Sequence, residues 1–153
     1  MDIYETLAAG MARVEKLGRK LVDSTAGEPE RRERNENEMA VLFDAVDQTR
    51  KARFYPFLVF KDPKLSGLET AYQQQAENIR NRIRELRELP KDHKHAEAYQ
   101  RRAEMLYNEI IYLEKWEKHE IIPQARKVLS DEDAEEQGDL ARAEEKAIEQ
   151  ERL

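Results

Sequence analysis

Apolar residues recur at steps of three and four along four long stretches of this chain, and no other feature constrains the fold as much. The first stretch carries Ile3, Leu7, Met11, Val14, Leu17 and Leu21. A period near 3.6 residues puts such side chains on one face of a helix, so a helix is predicted over residues 2–24. A second, over about 29–55, presents Met39, Leu42, Val46 and Thr49/Arg50, and its stripe continues through Phe54, Phe57 and Leu58. Pro56 has no N–H to give the helical ladder and should kink or end that helix. A third covers about 68–89, with Leu68, Tyr72, Gln75/Ala76, Ile79, Ile83 and Leu86 facing inward. The fourth and longest covers about 96–129, with Tyr99, Ala103, Leu106, Ile110, Leu113, Glu117 and Ile121, and Pro123 should bend it. Turn signals separate them at 24–29, 61–67 and 89–93. The first turns of the second helix are nearly all charged and read as solvated or frayed.

Ser130 followed by Asp133 has the pattern of a helix N-cap with a capping-box acid. It starts a short polar helix over about 131–152 with few apolar anchors, which predicts a loosely held end. Only five glycines, 39% charged residues and no sustained apolar–polar alternation argue against sheet. Four long stripes on short turns bury their apolar faces most simply as an all-α, up-down-up-down four-helix bundle. The expected organisation is therefore a bundle over 1–130 and a polar C-terminal helix over 131–153.

The net charge of −6 argues against nucleic acid or an anionic membrane as the main partner. The chain has no Cys, which excludes disulfides, thiolate catalysis and Cys-ligated metals. The start MDIYETLAAGMARVEKL lacks the features of a signal peptide, and no apolar run approaches the roughly 20 residues that cross a bilayer. A cytoplasmic protein is expected.

Residues 110–130 read IIYLEKWEKHEIIPQARKVLS. The run resembles the last ligand-bearing helix of the hemerythrin-like (HHE cation-binding) family, with the tail after Pro123 intact and the histidines gone. The opening MDIYETLAAGMARVEKL, the segment DAVDQTRKARFYPFL at 44–58 and the segment AYQQQAENIRNRIRELREL at 71–89 resemble the family's other helices. The resemblance implies a four-helix bundle holding two irons. It places Met11 and Val46 at ligand histidines, Arg50 at a bridging Glu and Ala76 and Glu77 at a His pair. Tyr112 and Leu113 stand at the last His pair, and Glu117 at the second bridging carboxylate.

Such a site needs imidazoles and carboxylates converging from four helices. The chain has three histidines, none at these positions, so loss of the di-iron site is expected. The matched position that keeps a ligand type is Glu117. Metal loss would leave two acids repelling each other, and Arg at one position makes an ion pair that needs no metal. The resemblance thus predicts an Arg50–Glu117 pair at mid-bundle, joined by Gln75, Glu77 or Tyr112.

Other candidates carry less. His93 and His95 sit in a lysine-rich turn and read as solvated, and His119 lies two residues from Glu117, on another face. Trp116, Tyr107 and Tyr112 widen the apolar side of the fourth helix and fit bundle filling or an interface. Residues 54–60, FYPFLVF, should cap one end of the core. No catalytic or cofactor-binding constellation is present, and a non-enzymatic protein is expected.

Three functional readings follow. The first is a hemerythrin-like binding or interaction module without its metal, with a homodimer or protein partner or a small apolar ligand in the core. The second is a residual iron-binding, dioxygen-binding protein using Glu117, Glu77, Asp47, Gln75 and Tyr112, against which the charge of Arg50 stands. The third is a structural protein, or a redesigned scaffold on this fold, with no specific ligand.

Overall fold

The computed structural model describes residues 1–24 and 28–152. Part of the break predicted at 24–29, residues 25–27, lies outside the described residues. The chain is all-helical, and no strand occurs among the described residues. The elements are α1 (Ile3–Asp23), α2 (Pro29–Arg53), α3 (Tyr55–Lys61), α4 (Ser66–Glu88), α5 (Ala96–Trp116), α6 (Ile122–Val128) and α7 (Asp131–Arg152). None of them is long and apolar enough to cross a membrane.

The boundaries follow local chemistry. Asp2 caps α1, its carboxylate accepting from the Glu5 N–H at 2.9 Å while the Glu5 carboxylate accepts from the Asp2 N–H at 3.3 Å. Pro29 opens α2 at its first position, where a missing N–H costs nothing. Pro56 ends the same helix, and the chain restarts as α3. Ser130 and Asp133 form the reciprocal cap expected at the start of α7.

The predicted fourth helix is divided. Between α5 and α6 the backbone widens into a π turn over Glu117–Ile121, where the Ile122 N–H bonds the Glu117 carbonyl. Pro123 cannot donate to an ordinary helical ladder, and the wider turn accommodates it. The turn also corrects the phase. Leu113, Glu117, Ile121 and Ala125 are all buried, at three successive steps of four. An α-helix gains 3.6 residues per turn and would rotate such a run off the core.

Helix α1 packs on α2 and α5, and α4 packs on α2 and α5. The predicted inward residues Ile3, Leu7, Met11, Val14, Leu17 and Leu21 are buried, as are Tyr72, Ala76, Ile79, Ile83 and Leu86. Leu68 is half-buried. Phe54, Tyr55 and Leu58 enter the core, whereas Phe60 is exposed.

Two expectations are corrected. The charged start of α2 is solvated at Glu30, Arg31, Glu33 and Arg34, as expected, but it is anchored by Arg32 and Glu36, both 2% exposed. The Arg32 guanidinium lies 4.2 Å from the Tyr99 ring centroid and donates to the Ser24 hydroxyl at 3.1 Å. Glu36 accepts from the Tyr99 hydroxyl at 2.5 Å and meets Lys91 Nζ at 3.1 Å. Aromatic and charged partners supplied from elsewhere thus replace an apolar stripe.

The C-terminal helix is likewise packed, not loosely held. It lies on both α1 and α2 and buries Ala134, Gly138, Ala141 and Glu145. Small side chains let the backbones approach closely, so little apolar bulk is needed. A Cβ on Gly138 would stand 2.3 Å from the Asp2 carbonyl carbon and 2.5 Å from the Ile3 nitrogen. These are backbone atoms at the start of α1, which cannot yield as a side chain does. Gly138→Ala should therefore cost about 1–3 kcal/mol in urea unfolding, the usual penalty of overpacking. Gly67→Ala, with open space around its Cβ, should be neutral or stabilising by up to about 1 kcal/mol.

Candidate functional site: a buried ion pair and the cleft beside it

The second turn from the end of α2 carries Val46 and Asp47, and Arg50 follows on the inward stripe. Arg50 is fully buried and faces Glu117 at the start of the π turn. Arg50 Nη2 lies 2.7 Å from Glu117 Oε1, and Arg50 Nε lies 2.9 Å from Oε2, a two-pronged pairing. Arg50 Nη1 donates to the Val46 carbonyl at 3.2 Å, and Nη2 also donates to the Leu7 carbonyl at 3.2 Å. Every nitrogen of the guanidinium thus has a protein partner. Burial opposes the charge of Arg50, but the Glu117 charge and hydrogen bonds outweigh it and hold the pKa above its ordinary value.

Glu117 has a further donor. The Tyr55 hydroxyl gives its proton to Glu117 Oε2 at 2.7 Å. The Tyr55 ring stacks on Tyr72 with centroids 4.4 Å apart, and the Tyr72 hydroxyl donates to Asp47 Oδ1 at 2.7 Å. Asp47 also pairs with Arg80 and, at 3.1 Å, with Lys51. Burial first, and the neighbouring carboxylates after it, push both phenols well above their ordinary pKa, so they serve as donors at any physiological pH. The result is a continuous polar layer through α2, α3, α4 and the π turn.

The structure brings together some of the positions singled out in the sequence. Met11, Val46, Ala76 and Leu113 are buried in one apolar core beside the Arg50–Glu117 pair. Glu77 and Tyr112 are not part of it. Glu77 is exposed and pairs with Arg80 at 2.9 Å, and Tyr112 is 64% exposed. Gln75 is half-buried, with no hydrogen-bond partner for its buried Oε1. The residues expected to join the pair therefore do not, and Tyr55 takes that place. The oxygen-rich ligand set of Glu117, Glu77, Asp47, Gln75 and Tyr112 does not converge. Among the described residues no group of three His, Asp or Glu side chains is placed to hold a metal ion.

The remaining histidines and aromatics fall outside this layer. His95 Nδ1 lies 2.6 Å from Asp92, while His93 and His119 are exposed. Tyr107 accepts from Arg19 at 2.5 Å, and Trp116 packs half-buried on the core.

Beside the pair a cleft of about 460 Å³ opens between α1 and the α5–α6 segment. Leu7, Ala8, Met11, Ala12 and Ile122 give it an apolar lining, and Glu117 contributes to its wall. Tyr4 also lines it, and its buried hydroxyl has no hydrogen-bond partner. Glu15 and Glu114 stand at the cleft with Lys118 and Arg126. Burial, and then the Glu15 charge, push the Glu114 carboxyl up.

A second titratable group backs the ion pair from α7. Glu145 is buried, its Oε1 has no hydrogen-bond partner, and its carboxyl is pushed up to about 7. Burial is the main cause and Glu149 adds to it, against the opposing pull of Arg50 and Arg13.

No family model matches the chain, and no curated protein or solved structure matches it.

Two predictions follow from this geometry. Removing one partner strands a buried charge, so Arg50→Met or Glu117→Leu alone should cost about 3–5 kcal/mol in urea unfolding. The double variant should recover most of that loss, and a double variant as unstable as the sum of the singles would contradict the pairing. For Glu145 the folded protein keeps a proton that the unfolded chain releases above its ordinary pKa of 4.5. The contribution is fully present below pH 4.5 and is lost as pH rises through about 7. It amounts to roughly 3 kcal/mol, at about 1.4 kcal/mol per pKa step. Glu145→Gln should flatten this slope in stability measured against pH. An unchanged slope would place the proton elsewhere.

Proposed function

We propose that this chain is a hemerythrin-like, up-down-up-down four-helix bundle that has replaced its di-iron site with an ion pair. In this reading it acts as a non-enzymatic binding module. The observation that carries the proposal is the buried Arg50–Glu117 contact at 2.7 Å. A dication at that level would have to displace a guanidinium that already neutralises the acid and has a protein partner at each of its nitrogens. The other matched positions that turn inward are Met11, Val46, Ala76 and Leu113, which offer apolar contact in place of imidazole.

The ligand side of the proposal rests on the cleft between α1 and the α5–α6 segment. Its volume of about 460 Å³ falls within the range of roughly 300–1,000 Å³ usual for small-molecule sites. Its lining of Leu7, Ala8, Met11, Ala12 and Ile122 suits a small apolar molecule. The two carboxylates of the polar layer are engaged: Glu117 is bonded to Arg50 and Tyr55, and Asp47 to Tyr72 and two cations. This supports a reading without catalysis.

The test has a metal arm and a ligand arm. Protein purified without chelator and exposed to Fe(II) under air should carry no stoichiometric iron by elemental analysis and no oxo-bridge absorbance. Two irons per chain with such a band would overturn the proposal. In the second arm p-xylene should give saturable methyl shifts at Leu7, Met11 and Ile122 in NMR. Ala12→Phe, which fills the cleft from an exposed position, should abolish them. Unmoved methyls would remove the ligand assignment.

A further inference from the structure

A groove of about 390 Å³ runs between α2 and α4. Its apolar side is formed by Ala40, Phe43 and Ile83. Arg80, Arg84 and Arg87 line it from α4, at steps of four and three that put them on one stripe of that helix. Arg152 reaches the same groove from the end of α7. Four guanidiniums and one carboxylate, Asp44, therefore meet at one groove of a protein whose net charge is −6.

Two of the four are matched by acids: Arg80 pairs with Asp47 and Glu77, and Arg152 pairs with Asp44. The other two are different. Arg84 donates to the Asn81 side-chain oxygen at 2.8 Å, and Arg87 donates to the Asn37 side-chain oxygen at 3.0 Å. Each is held in place by a neutral amide one turn away or on the neighbouring helix. These contacts orient the guanidiniums without neutralising them. Both Arg84 and Arg87 are exposed, so their free N–H groups are open to a ligand.

We propose that this groove binds a small amphiphilic anion, a phosphate or carboxylate carried on an apolar body. Arg84 and Arg87 receive the oxyanion, because a planar guanidinium presents paired donors that match phosphate and carboxylate oxygens. The apolar body lies along Phe43, Ile83 and Ala40. Like-charged arginines on one stripe repel one another, and a bound anion converts that repulsion into attraction. The volume suits a molecule of this size, and apolar walls with a few convergent polar groups are the usual composition of a ligand site. The assignment is independent of the cleft beside Glu117, which lies against α1 on other residues.

The full chain is titrated with octyl phosphate and with octanoate, each below its micellar concentration, and separately with inorganic phosphate and with octanol, all read by amide NMR. At least one of the two amphiphiles should give saturable shifts at Ala40, Phe43, Ile83 and Arg84, with affinity at least tenfold above both inorganic phosphate and octanol. The variant Arg84→Gln/Arg87→Gln should weaken that binding at least tenfold while the rest of the spectrum is kept. The charge-matched control Arg101→Gln/Arg142→Gln, at exposed positions outside the groove, should leave it unchanged. Amphiphiles no tighter than inorganic phosphate, or equal weakening by both double variants, would overturn the proposal.

Discussion

A guanidinium with no access to water needs hydrogen-bond partners and a balancing charge, and Arg50 imposes that requirement on everything around it. An unpaired ion in the interior costs several kcal/mol even after relaxation. Arg50 meets the demand with the Glu117 carboxylate and the carbonyls of Val46 and Leu7. Those partners belong to the π turn, to α2 and to α1. The position of α1 is thus coupled to that of α2 through a side chain, at a level where apolar contacts alone would tolerate sliding. The Tyr55 hydroxyl on Glu117 extends the coupling to α3, and the Tyr55–Tyr72 stack carries it to α4.

The C-terminal helix answers a different constraint. Its exposed side is mostly charged, and its buried side is Ala134, Gly138, Ala141 and Glu145. Close backbone approach supplies dispersion contact in place of apolar bulk. Glu145 then sits behind Arg50 with one oxygen unbonded. At low pH it packs as a neutral acid. As pH rises it must either ionise in the core or hold its proton, and burial, which disfavours the ionised form, makes it hold the proton up to about pH 7. The attachment of α7 and the charge state of the ion-pair region are therefore linked through one carboxyl group.

Much of the helical core was legible from periodicity, because each long stripe is apolar and its spacing admits one period. The all-helical class and the inward residues of α1 and α4 follow from that alone. The ends escaped it where burial was polar. Arg32 and Glu36 look solvated in a charged run, and only the approach of Tyr99 and Lys91 from distant elements makes them core residues. In α7 the signal was present but weak: small residues at 134, 138 and 141 mark a face, yet hydrophobicity does not register it. Arg50 and Glu117 were singled out as a pair, and the structure brings them together; Tyr55 was not foreseen as their partner. It stood in the sequence beside Pro56 as apolar filling, and nothing in the spacing says where its hydroxyl points. Glu77 and Tyr112 were placed at the site by the resemblance, but each stands one position from a buried residue, Ala76 and Leu113, and so turns outward. A shift of one residue on a helix is a rotation of about 100°, enough to separate core from solvent.

Polar burial at two levels explains how a core of mostly interchangeable aliphatic residues can hold one register. Glu36, Tyr99 and Lys91 tie α2 to α5 and to the turn before it. Arg50, Glu117 and Tyr55 tie α2 to the π turn and α3. Slipping one helix by a turn moves its side chains about 5.4 Å, which leaves Leu and Ile in equivalent contacts but strands each of these groups without a partner. The two levels involve different partners, so no single slip satisfies both. The π turn belongs to the same logic. Without its extra width, the run Leu113, Glu117, Ile121 and Ala125 could not all face inward, and either Glu117 would leave Arg50 or Ile121 and Ala125 would leave the core. The backbone irregularity at Glu117 is thus a condition for combining the ion pair with the apolar packing below it.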